Sequence, residues 1–138
     1  MSLLPSREVL GEVADTLEKV LFAEEFGTED PAPLQQRALW LLQQQLEREP
    51  GEKDAISLIQ QFSSQLPELR RVLLLDLQAA VEGDPAAQST IEVLLCYPGF
   101  TALFYHRIAH LLYQQGAVLV ARMLSSLAQS LTAIDIHP

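Results

Sequence analysis

Apolar residues recur along this chain at spacings of three and four, in segments separated by proline and glycine, which is the pattern of amphipathic helices. The first such segment runs from Ser6, a side chain suited to an N-cap, to about Phe26, with Val9, Val13, Leu17, Val20 and Leu21 on one face. Gly27 and the acidic turn TEDPAP end it. A second follows Pro31 and Pro33, carrying Leu34, Leu39, Trp40, Leu42 and Leu46 among glutamines, and closes at Pro50 and Gly51. The spacing predicts further helices over 54–66, 67–82, 87–97, 100–115 and 118–132, with a stripe of Leu69, Leu73, Leu77 and Val81 on the fourth. Pro67 fits a first helical turn, where the missing amide costs nothing, and Gly116 fits the residue just past a C-terminus. Only the final IDIHP alternates in the manner of a strand, so the fold class predicted is all-α, without internal repeats.

Composition narrows the classes of function. With 9 basic residues against 18 acidic ones, a net charge of −9 and a pI near 4.6, the chain lacks the concentrated Lys/Arg surface that phosphate contacts require. Nucleic acid and anionic membranes are therefore not expected partners. The apolar runs VLLL and IEVLLCY stop at Asp76 and Pro98, far short of the ~20 residues that cross a bilayer. The opening MSLLPSREVLGEVADTLEKV lacks the order of a signal peptide, and the single cysteine, Cys96, has no partner within the chain for a disulfide. A cytoplasmic location is the expectation.

Several residues invite chemistry. Asp84 lies in a Gly-Asp-Pro break, and spacing alone reads it as the N-cap of the helix that follows, with Pro85 at the first position. Asp135, between Ile134 and Ile136, projects opposite to two apolar side chains if the segment is extended. His106 and His110 have the i, i+4 spacing of a metal pair, but HRIAH offers neither a third ligand nor the glutamate of H-E-x-x-H; the pair reads as structural and no metal is expected. His137 has no nearby nucleophile, and Cys96, between Leu95 and Tyr97, reads as a buried thiol. Trp40 reads as core or subunit contact. The glutamines 43–45 and the charge run Glu47, Arg48 and Glu49 read as a solvated face.

Four ordered blocks, LLLDLQAAVEGDPAAQS (73–89), EVLLCYPGFTAL (92–103), FYHRIAHLLY (104–113) and LTAIDIHP (131–138), resemble the helical region of bacterial serine O-acetyltransferases. They cover about half of the chain in the family's order; the first ~70 residues match its variable helical N-terminus in type only. The resemblance implies a protein that transfers acetyl from acetyl-CoA to L-serine, giving O-acetyl-L-serine for cysteine synthesis. It also implies a helical N-terminal domain over 1–134, with 135–138 beginning a left-handed β-helix of hexapeptide repeats. By resemblance, Asp84 matches the aspartate that binds the ammonium of serine, and Asp135 the carboxylate that pairs with a histidine base of the β-helix. Acetyl-CoA is then a co-substrate of the full-length enzyme, with no cofactor bound by these residues themselves.

The resemblance further implies homo-oligomers through the helical domain, hexamers in the full-length form, and docking of a C-terminal tail on cysteine synthase. Because the catalytic histidine and the CoA-binding coils belong to the β-helix, the 138 residues alone are expected to be inactive. The alternative is a free-standing helical oligomerisation or regulatory protein derived from the family, without catalysis. Three positions depart from the family pattern: Thr101 in place of a histidine after YPGF, Gln88 in place of an arginine, and Ala133 in place of the glycine before IDIHP.

Overall fold

The computed structural model describes residues 4–138; the first three residues of the helical unit expected over 1–134 lie outside them. Among the described residues there are eight α-helices and no strand: α1 (Arg7–Leu21), α2 (Ala23–Phe26), α3 (Ala32–Leu46), α4 (Ala55–Ser64), α5 (Leu66–Gly83), α6 (Thr90–Cys96), α7 (Pro98–Gln114) and α8 (Val118–Thr132). The fold is all-α, as the periodicity predicts. IDIHP is extended but pairs with nothing as a strand, since a strand needs a neighbouring ladder and none is present among the described residues.

Helices α1, α3 and α4 pack in sequence, α7 and α8 form the most extensive pair, and α1 joins the two groups by resting on α8. Helix α5 crosses to both α6 and α7. One continuous apolar cluster runs through all of them, with Leu10, Leu17, Phe22, Leu42, Phe62, Leu73, Phe104, Ile108, Leu112 and Leu124 among its most deeply buried members. Burying side chains of this size contributes about 1.5–3 kcal/mol each before the entropy of ordering them is set against it.

The first predicted helix is two. Phe22 leaves helical geometry (φ −112°, ψ 44°) and turns its ring into the core, 5.8 Å from Phe100 and 6.2 Å from Phe104. The break releases the carbonyl of Leu21, which accepts from Arg70 Nε at 3.1 Å. Ser6 caps α1 as expected, accepting from the Val9 N–H at 3.2 Å. At the other corner Gly116 (φ 92°) closes α7: its N–H bonds to Tyr113 O and the Ala117 N–H to Leu112 O, the Schellman pattern.

Four expectations need correction. Gln45 is not on a solvated face: it is 2% exposed, and its Oε1 accepts the backbone N–H of Ser6 at 2.6 Å, tying α3 to the root of α1. Glu49 is 8% exposed, and its carboxylate accepts from the N–H groups of Leu119 (3.1 Å) and Val120 (2.9 Å). Helix α8 has Ala117 at its N-cap, which offers no side-chain acceptor, so the orphan amides of its first turn recruit a carboxylate from a distant loop. Trp40, expected in the core or at a subunit contact, is not in the core: it is 57% exposed, because the inward face of α3 is taken by Ala38, Leu41, Leu42, Gln45 and Leu46. Cys96 is exposed, since the short helix α6 buries only Val93 and Leu94 and turns Leu95 and Cys96 outward.

Candidate functional site

Helix α5 runs until Gly83 and is stopped by the Gly-Asp-Pro sequence, which places Asp84 in extended geometry (φ −124°, ψ 108°) at the corner between α5 and α6. Asp84 does not cap the next helix. That helix begins at Thr90, capped by Ser89, whose Oγ accepts from the Glu92 N–H at 3.2 Å; Asp84 instead folds the turn between the two helices. Its Oδ1 accepts from the Ala86 N–H at 2.9 Å, and its Oδ2 from the hydroxyl of Tyr97 at 2.5 Å. The phenol donor first, and the backbone amide second, hold the Asp84 carboxyl below its ordinary range. The same bond pushes the Tyr97 hydroxyl up to about 12. The corner therefore presents an ionised carboxylate in a fixed orientation, with a lone pair on each oxygen left over for another donor.

Tyr97 escaped the sequence reading, in which it merely ended a helix. It sits 13 residues from Asp84, across a complete helix, and no spacing rule connects the two. Farther along the same helices, Arg107 of α7 clamps Asp76 of α5 through two bonds of 3.0 Å, so α5 and α7 are fixed to one another beside this corner.

Asp135 is placed elsewhere. It follows α8 in the extended tail and is exposed, while Ile134 and Ile136 on either side are half-buried, which is the alternation the sequence predicts. A shallow depression of about 300 Å³ beside it is lined by Arg122, Ser125, Gln129 and His137, among others. No hydrogen bond and no pocket joins Asp84 to Asp135 among the described residues. The tail leaves α8 through Ala133, whose φ of 62° makes it the one non-glycine residue in left-handed geometry among those described. This gives a physical reason for the glycine expected at that position, since a Cβ there costs about 1–2 kcal/mol.

His106 and His110 stack at 5.6 Å between ring centroids, and Nδ1 of His110 lies 3.1 Å from the carbonyl of Pro138. Burial, then His110 and Arg107, hold His106 below its ordinary range. Among the described residues no group of three or more His, Cys, Asp or Glu is gathered as a metal site. Among the described residues, no helix is long and apolar enough to cross a membrane.

Fold and site together define an all-helical unit that offers one braced carboxylate and one exposed carboxylate on an extended tail. The family model for the N-terminal region of serine acetyltransferase matches residues 30–104, more than half of the chain. The chain is 41% identical over 98% of its length to a serine acetyltransferase (plasmid) of Synechococcus elongatus, of which it covers 50%. It is 51% identical, over 46% of its length and 28% of the relative, to the serine acetyltransferase of Mycobacterium tuberculosis. Among solved structures, it resembles serine acetyltransferase isoform 3 of Entamoeba histolytica in complex with cysteine, with a TM-score of 0.81 and 30% identity over 91% of this chain and 48% of that one. Serine acetyltransferase 1 of the same organism, in complex with L-cysteine, gives a TM-score of 0.81 at 28% identity, over 97% and 50%. This chain belongs to the serine acetyltransferase family and corresponds to its N-terminal helical region. It spans about half the length of the full-span relative and of both structures.

Proposed function

We propose that these residues form the helical N-terminal part of an enzyme that transfers acetyl from acetyl-CoA to L-serine, and that they contribute two carboxylates to that reaction. The observation that carries this reading is the 41% identity to a serine acetyltransferase over nearly the whole chain. The superposition on two cysteine-bound members of the family adds to it, because cysteine and serine share the same α-ammonium and α-carboxylate.

In this reading Asp84 takes the ammonium group of serine. An ionised carboxylate held by neutral donors keeps its full charge for a cationic partner, and a charge-assisted bond of this kind is about twice as strong as a neutral one. Asp135 orients and stabilises a histidine of the β-helix. That histidine removes the proton of the serine hydroxyl as the oxygen attacks the thioester carbonyl; the tetrahedral intermediate collapses, the C–S bond breaks, and the CoA thiolate leaves and takes up the proton. The 138 residues alone hold no histidine placed against Asp135 for this step, so we propose that they do not turn over by themselves.

Self-association belongs to the same proposal. Trp40, 57% exposed, lines a groove of about 530 Å³ between α3 and α4 together with Leu39 and Ile59. An apolar surface of this kind suits contact with another copy of the chain. The test is an assay of serine-dependent CoA release by the gene product that contains these residues and by the 138-residue stretch. Release by the longer protein alone supports the reading. Release by the stretch alone, or by neither, contradicts it.

A further inference from the structure

We propose that Tyr97 is a positioning residue for substrate binding, its hydroxyl fixing the carboxylate of Asp84 in the orientation that receives an amino-acid ammonium group. The proposal rests on the reading of Asp84 given above.

The torsion that turns a carboxylate about its Cβ–Cγ bond is broad and nearly unhindered, so one hydrogen bond to Oδ1 leaves the group free to swing. The Ala86 N–H binds Oδ1 at 2.9 Å and the Tyr97 hydroxyl binds Oδ2 at 2.5 Å. Two donors from different elements, one on each oxygen, define the plane of the carboxylate. The root of Tyr97 is rigid in turn. Its N–H bonds to Val93 O at 3.2 Å, ending α6, while its carbonyl accepts from Phe100 N at 3.1 Å and Thr101 N at 3.2 Å, starting α7. Pro98 follows directly, so the chain cannot continue as one helix through this residue. The ring packs against the core cluster and only the hydroxyl reaches out to Asp84.

A neutral donor is what the task requires. Arginine or lysine in this place would neutralise Asp84 and compete with the substrate ammonium, whereas a phenol orients the carboxylate and leaves its charge available. The charged or titratable groups that face the Tyr97 hydroxyl are Asp84, to which it is bonded, and Glu92 and Cys96 of α6. All three favour the protonated phenol, which keeps it a donor.

The test is Tyr97→Phe in the full-length enzyme, with Asp84→Asn beside it. Loss of the hydroxyl is expected to raise KM for L-serine by roughly 3–10-fold, the range of one hydrogen bond, with kcat within about twofold. The rise is expected for serine alone, with KM for acetyl-CoA unchanged, because the hydroxyl touches only the carboxylate that receives the ammonium group. A purely structural role for Tyr97 would lower the melting temperature and either leave KM for serine unchanged or raise both KM values together, which would overturn the proposal. Should Tyr97→Phe fail to fold, ultraviolet titration of the wild type against Asp84→Asn gives a second reading. A phenol that moves from about 12 toward its ordinary range on loss of Asp84 supports the proposal, and one that does not move overturns it. If Asp84→Asn raises KM while Tyr97→Phe does not, the positioning role fails and the reading of Asp84 stands. If Asp84→Asn leaves KM unchanged, the reading of Asp84 fails and the proposal fails with it.

Discussion

The two carboxylates singled out in this chain are held in opposite ways. Asp84 sits at a corner that the chain builds for itself: Ala86 and Tyr97 each occupy one oxygen, and the Asp76–Arg107 clamp locks the helices on either side. Asp135 is carried on an exposed extended tail, held through its half-buried neighbours, the edge contact of His137 with Tyr113 and the approach of His110 Nδ1 to the Pro138 carbonyl. The contrast suits their proposed tasks. A carboxylate that binds a small ammonium ion has to be orientated before the ligand arrives, whereas one that pairs with a histidine receives its geometry from that pairing.

The contrast can be broken at the tail first. Asp135→Asn in the full-length enzyme leaves the segment in place but removes the charge that would stabilise an imidazolium, and kcat is expected to fall on the order of 10³–10⁴-fold with KM for serine little changed. A loss confined to KM would place Asp135 in binding instead. The next test acts on the base of the helix that bears the tail. Glu49→Ala strips two amides at the start of α8 of their acceptor in a buried setting, and is expected to cost about 2–3 kcal/mol by denaturant unfolding, with Glu49→Gln costing less.

A third prediction sharpens the comparison by perturbing neither carboxylate. Glu18 of α1 is raised to about 7, by burial first and by Asp15 second, with Lys19 opposing. A carboxyl raised in the folded state binds more protons there than in the unfolded chain, so its contribution is fullest below about pH 4.5 and is lost as pH rises to about 7. Glu18→Gln is therefore expected to stabilise the protein above pH 7 by about 1 kcal/mol once partial solvent screening is allowed for, and to change nothing near pH 4. Equal stabilisation at both pH values would show that the ionised form is not the cause. The smallest effect belongs to Ala133. Ala133→Gly relieves the left-handed strain but adds chain entropy to the unfolded state, for a net gain of roughly 0.5 kcal/mol in thermal unfolding.

The helices were legible because their signals are local. Apolar spacing, Ser6 at a cap, Pro67 in a first turn and Gly116 past an end each act within a few residues, and the structure places each of them so. What the sequence concealed depends on contacts across the fold. Gln45 and Glu49 look like surface residues until Ser6 and the start of α8 arrive beside them. Phe22 looks helical until its ring is drawn toward Phe100 and Phe104. Cys96 and Trp40 belong to apolar runs, yet each helix has one inward face and these side chains lie off it. The candidate site divides on the same line. Asp84 was marked by its Gly-Asp-Pro turn and by the family blocks, while Tyr97, the side chain that orients it, shares no local pattern with it.

The central claim is that the Asp84 corner binds the ammonium group of the amino-acid substrate. The most direct measurement is KM for L-serine in the full-length enzyme carrying Asp84→Asn, with KM for acetyl-CoA measured alongside. The account predicts a rise of roughly 10–100-fold for serine, the range of a lost charge-assisted hydrogen bond, and no change for acetyl-CoA. An unaltered serine KM, or an equal rise for both substrates, would contradict it.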